Sequence, residues 1–142
     1  MTQDDKELLL QDLCGRLLYG VRCEVYNRIG ILDEISSYGI GVTYANGQDT
    51  TCRIDECKPY LFPLSSMTEG QKKELDEKFN VIWIGQYNIQ IHYHSQGYWD
   101  TDLEVDFQDW LWLINWLNKN HFDYRGLIDK GLAINATGLN IY

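Results

Sequence analysis

The chain reads as an α+β domain: a small antiparallel β-meander flanked by an N-terminal helix and a C-terminal helical pair. Three observations predict this. Leu9, Leu10, Leu13 and Leu17 fall near one helical face, with Leu8 beside them. Three runs between residues 21 and 45 alternate apolar with polar residues and are separated by turn residues. Residues 106–119 then have helical spacing and carry three of the five tryptophans. With 142 residues, one domain spanning 1–142 can build its own core.

The first helix is expected over residues 3–13, capped by Thr2, with Asp5 at the capping-box position. Val21, Cys23 and Val25 mark the first strand. Ile29, Ile31, Asp33 and Ile35 mark the second, with Leu32 and Glu34 on its other face. Ile40, Val42 and Tyr44 mark the third. Turns are expected at Asn27-Arg28, Ser37-Tyr38-Gly39 and Asn46-Gly47, and a fourth strand over residues 51–54. Pro59 and Pro63 each remove a backbone donor, so residues 58–63 are expected to be extended or to form an edge. Thr68 and Gln71 form a second capping signal, for a charged surface helix Glu69–Phe79 packed by Leu75 and Phe79.

Residues 81–94 alternate again. Val81, Trp83, Tyr87, Ile89, Ile91 and Tyr93 share one face, and Gln86, Asn88, Gln90, His92 and His94 the other. This is one long strand or a hairpin bent near Gly85, followed by a loop over 95–101. Asp106 can cap the tryptophan-rich helix. On a 100° wheel Phe107, Trp110, Leu113, Ile114 and Leu117 gather on one side with Leu111 at its margin, and Trp112 and Trp116 point away. A last helix is expected over 124–130, ended by Gly131, with residues 132–134 as a final strand or docking tail.

The net charge of −9 disfavours bulk nucleic acid and anionic membranes, which require clustered cations. It leaves open a small nucleotide or a basic protein. The polar start and the lack of a spanning apolar run lead to an expectation of a cytoplasmic protein with reduced thiols. Cys14, Cys23 and Cys52 read as small buried apolar residues.

Catalytic signals are sparse. Cys52 and Cys57 with His92 and His94 would supply two sulfurs and two nitrogens for zinc, but their spacing is not that of a zinc knuckle. Cys57 with His121 is a conceivable nucleophile pair without a visible orienting partner. No phosphate loop and no serine elbow is present. The expectation is therefore no enzyme and no cofactor.

The aromatic residues are the sharper signal, since flat rings anchor interfaces and stack on bases. The candidate ligand- or partner-binding residues are Trp83, Tyr87, His92, His94, Trp99, Trp112 and Trp116, with Lys58 and Arg125 as cations for an anionic ligand. Trp112 and Trp116 are also the candidates for contact with a second copy of the chain. In the segment His121-Phe122-Asp123-Tyr124-Arg125-Gly126, Asp123 caps the last helix, Phe122 and Tyr124 pack beneath it, and Arg125 pairs with Asp123 or a helix carboxylate.

Three stretches carry a family resemblance: Asp12-Leu13-Cys14 through Tyr26, Lys58-Pro59-Tyr60-Leu61-Phe62-Pro63-Leu64-Ser65-Ser66-Met67-Thr68, and Trp116 through Ala133. In these the chain resembles short uncharacterised proteins encoded by phages and prophages of gut Bacteroidetes. That family usually carries a basic residue where this chain has Phe62, and it varies between residues 69 and 102. The resemblance implies an accessory protein in the host cytoplasm, without implying an activity. The expected function is a counter-defence inhibitor that binds a host defence protein. The alternative is a homo-oligomeric sponge for a small cyclic nucleotide signal, and a metal-dependent enzyme is the third reading.

Overall fold

A computed structural model describes residues 1–79, 81–85, 89–91, 94–95, 98–99 and 107–142, with backbone alone for 81–83, 90–91, 94–95 and 98–99. It shows the α+β class: an N-terminal helix, a mostly antiparallel sheet and a C-terminal helix. No helix among the described residues is long and apolar enough to cross a membrane.

Helix α1 is Gln3–Arg16, three residues longer than its leucine pattern suggests. Its capping box forms as expected: Asp5 N–H donates to Thr2 Oγ1, and Thr2 N–H to the Asp5 carboxylate. The inward face is Leu9, Asp12, Leu13 and Arg16, so the helix buries an ion pair where continued leucines were expected. Leu10 and Cys14 are exposed, which corrects the reading of Cys14 as a core residue.

The meander continues the chain as β1 (Arg22–Val25), β2 (Arg28–Ser36), β3 (Gly39–Tyr44) and β4 (Asp49–Cys52). All neighbours pair antiparallel. The first turn falls on Tyr26-Asn27, both with positive φ, one residue before the expected position. Positive φ at both central residues is what a tight hairpin requires. A register shift between Leu32 and Glu34 brings Ile35 onto the core, while Ile29 and Ile31 face outward.

Strand β5 (Cys57–Pro63) is extended, the first of the two alternatives expected from its prolines, and lies in the interior of the sheet and not at an edge. β1 pairs antiparallel with Cys57, Lys58 and Pro59 on one side. Two short strands pair parallel with its remaining residues: β10 (Phe122–Asp123) with Phe62 and Pro63, and β11 (Ile134–Asn135) with Tyr60 and Leu61. The non-proline positions carry the ladder. Phe62 N–H donates to the His121 carbonyl at 2.9 Å, and Leu61 C=O accepts from Ala136 N–H at 2.8 Å.

Helix α2 is Glu69–Phe79, with the expected Thr68–Gln71 capping bonds and with Leu75 and Phe79 buried. Strand β6 (Val81–Ile84) pairs antiparallel with β7 (Ile89–Ile91). The stretch expected as a loop contributes β9 (Tyr98–Trp99), paired with β8 (His94–Ser95). Helix α3 is Phe107–Lys119, and its expected cap Asp106 lies outside the described residues. Residues 124–130 are turns and not the second helix of a pair, because Gly126 takes a positive φ and the Asp123 side chain binds the amides of Leu127 and Ile128.

Two apolar clusters hold these elements. One lies beneath the meander and α1, built from Leu9, Leu13, Val21, Val25, Leu32, Val42 and Leu127 among others. The other joins α2, α3 and the β5–β10 end through Leu64, Leu75, Phe79, Leu113, Trp116, Leu117 and Phe122.

Candidate functional site

Helix α3 has three distinct faces. Leu113, Trp116 and Leu117 are buried against α2 and β10. A second face, Trp112, Asn115, Trp116 and Lys119, borders a notch. The third face, Phe107, Trp110 and Leu111, points out, with Phe107 85%, Trp110 46% and Leu111 56% exposed, and Ile114 at its C-terminal end is partly buried against the cluster beneath. This reverses the wheel expectation in part: Phe107 and Trp110 are outside, and Trp116, 7% exposed, is in the core. The helix is apolar over a wider arc than the fold can cover, so the apolar centroid of the sequence did not mark the buried side.

The notch has a volume of about 360 Å³ and is lined by Tyr19, Glu74, Trp112, Asn115, Trp116 and Lys119. Trp116 Nε1–H donates to Glu74 Oε2 at 2.7 Å, which gives the partly buried indole its polar partner and fixes α2 against α3. The rings form a staircase: Trp112 on Trp116 with centroids 6.3 Å apart and 16° between planes, then Trp116 on Phe122 at 5.7 Å and 18°. Phe79 meets Trp112 edge-on at 5.4 Å, and Lys78 Nζ stands 5.6 Å from the Trp112 ring while pairing with Asp109 at 3.4 Å. The faces of Trp116 are thus spent on neighbouring rings. The notch offers ring edges together with a carboxylate, an ammonium, an amide and a phenol.

Among the described side chains, the structure brings together Trp112 and Trp116 here. Lys58 lies on the exposed face of β5, opposite Glu24. Arg125 is spent elsewhere: its guanidinium lies over Tyr124 and 3.5 Å from Asp12, the helix carboxylate that its sequence context anticipated. Trp83 stands opposite Gln90 in the β6–β7 pair, and His94 is in register with Trp99. Tyr87 and His92 lie outside the described residues. Glu74, Asn115, Lys119 and Tyr19 were not singled out by sequence. The signal that could have found Glu74 is weak: a helix carboxylate whose only mark is a distant tryptophan with a donor to satisfy.

Beneath the notch lies a buried polar hub. Arg16 Nε and Nη2 donate to both Asp12 oxygens at 2.6 and 2.9 Å, and Nη2 donates also to the Phe122 carbonyl at 2.7 Å. Both side chains are fully buried. Tyr124 Oη donates to Asn118 Oδ1, and the Asp123 carboxylate accepts from the amides of Leu127 and Ile128, closing a turn where the sequence predicted a helix cap. His121 is buried with positive φ and stacks on Tyr142, centroids 3.9 Å apart. Burial, then the charges of Arg16 and Arg22, lower its pKa to about 4.

Neither catalytic alternative gathers support. Cys57 and His121 are separated along β5, since His121 bonds at Phe62, roughly 16 Å further along the strand at about 3.3 Å per residue. The Cys52 thiol is pushed up by its hydrogen bond to Cys57 and by burial, and that of Cys57 by its bond to Cys23 and by burial. Both are held as neutral thiols, whereas nucleophilic chemistry needs a thiolate. Among the described residues no group of three or more His, Cys, Asp or Glu is placed to hold a metal ion.

No protein-family model, curated protein or solved structure matches this chain.

Proposed function

We propose that this protein is a non-enzymatic binding protein that engages a protein partner at the α2–α3 notch. The observation that carries this reading is the notch itself: Glu74, Asn115, Lys119 and Tyr19 set around tryptophan edges, with the ring faces already stacked on one another. A base needs an open ring face to stack on. Side chains and backbone of a protein need donors and acceptors of both signs beside a rigid apolar floor, which is the composition of an interface anchor. The resemblance to phage and prophage proteins supports a host cytoplasmic setting and counter-defence as the purpose, with a host defence protein as partner.

The test is capture from host lysate by the wild-type chain, by Lys119→Glu and by Asn115→Arg, with bound proteins identified by mass spectrometry. A protein retained by wild type and lost by both variants at unchanged melting temperature supports the reading. Identical bound sets from all three overturn it. The nucleotide-sponge alternative predicts a rise of several degrees in melting temperature with one cyclic nucleotide, since ligand at 100 times its Kd adds about 2.7 kcal/mol.

A further inference from the structure

The outer face of α3 is a separate feature from the notch. Phe107, Trp110, Leu111 and Ile114 have the i, i+3, i+4, i+7 spacing of a helix seam. From Phe107 to Asn115 this face carries Gln108 and Asn115 at its margins and no charged side chain; Asp109 turns toward α2, where it pairs with Lys78. In a chain with a net charge of −9, a stripe without charge is the pattern of an interface centre.

We infer that this stripe pairs with the same stripe of a second copy, making a two-fold dimer with antiparallel α3 helices. A second copy is the occupant that the face itself favours. A two-fold axis between Trp110 and Leu111 places Phe107 of one copy against Ile114 of the other, so large and small side chains alternate across the seam. The uncharged face lets two acidic chains meet without opposing carboxylates at the contact.

The area also suits such a pair. With aromatic side chains offering on the order of 150–250 Å² each, the observed exposures leave about 350 Å² of apolar surface per copy. Interfaces are roughly 60% apolar, so this centre with its polar margin corresponds to about 1,200 Å² in total, the lower edge of the range for specific association. The dimer is therefore a reversible one. The notch opens on another face of α3, so the dimer carries two outward notches and becomes bivalent toward any partner presented in arrays.

The experiment is solution mass of the full chain by light scattering and sedimentation from 1 to 200 µM. The expected result is a concentration-dependent rise from 16.6 kDa toward twice that mass. Phe107→Ser with Leu111→Ser, and separately Leu111→Lys, should weaken association at least tenfold with the far-ultraviolet spectrum and melting of the monomer unchanged. Trp112→Ala should leave association as in wild type. A wild-type chain that stays monomeric at 200 µM, assembles beyond two copies, or dimerises equally well with both stripe variants overturns the inference. These outcomes are distinguishable from the notch reading through Lys119→Glu, which lies on the notch face of α3 and away from the stripe.

Discussion

The Asp12–Arg16 pair offers the most demanding test of how this fold is held. Both side chains are fully buried, and Arg16 has three hydrogen bonds: two to Asp12 and one to the Phe122 carbonyl. Asp12→Asn keeps the size of the side chain and removes its charge, leaving a guanidinium in the core with Arg125 close by at the same carboxylate. Removing one member of such a pair costs about 3–5 kcal/mol. For a chain of this size that is a fall in melting temperature of roughly 10–15 °C. Arg16→Met leaves the buried carboxylate with Arg125 alone, 3.5 Å away, and is expected to cost less than Asp12→Asn.

The double change Asp12→Leu with Arg16→Met removes both charges together. It is expected to recover at least about 2 kcal/mol of the summed single costs, because an apolar replacement of a buried pair is often close to neutral. Calorimetry on the four proteins measures the cycle. Single changes costing under about 1 kcal/mol, or strictly additive costs, would refute the claim that the pair is desolvated and coupled.

Three further predictions concern single residues. His121 has a folded pKa of about 4 against an ordinary 6.5, so the folded state binds fewer protons between these values. Its contribution is present above pH 6.5 and fades as pH falls toward 4, by at most about 3 kcal/mol, and His121→Asn, which suits the positive φ, should flatten that part of the stability–pH curve. Gly15→Ala would place a methyl 3.0 Å from Asn118 Nδ2 at the α1–α3 crossing; the usual helical gain of about 1 kcal/mol should be cancelled or reversed in chemical denaturation, and a clear stabilisation would show that the crossing is loose. Trp116→Phe keeps the ring stack and deletes the bond to Glu74, for an expected loss of about 1–2 kcal/mol, whereas an unchanged midpoint would mean that bond is fully exchanged for water.

Much of the architecture was readable because local chemistry and tertiary context agree there. The capping boxes at Thr2 and Thr68 and the alternation of β1 and β3 each act within a few residues, whereas the register shift in β2 left Ile29 and Ile31 facing outward and the fourth strand began two residues earlier than expected. Where the reading failed, long-range partners decided. Pro59 and Pro63 read as an edge because nothing local reveals that residues 122–123 and 134–135 return to cover that strand. Residues 124–130 have helical composition, yet the Asp123 carboxylate and the backbone of Gly126 set a turn. The aromatic signal singled out α3 and divided its faces wrongly: Trp116, placed on the far side of the wheel, lies in the core, the role that an aromatic core gives it. Lys119 follows Trp112 by seven residues on the same helix, but Glu74 comes to it through packing of two helices separated by more than twenty residues, and no spacing rule reports that.

The interior position of β5 also sets an order of events during synthesis. The meander and β5 can pair as soon as residue 63 has emerged, but Phe62 waits for Phe122 and Tyr60 for Ile134. Until β11 arrives, the edge of β5 that Leu61 faces, opposite β1, is an open row of donors and acceptors on a nascent, acidic chain, the kind of edge that recruits foreign strands. The two prolines in that strand withhold donors from any such intruder. They cost the finished sheet little, because its own late-arriving strands bond at Leu61 and Phe62. The residues that misled the reading of the mature sheet thus act as guards of the unfinished one.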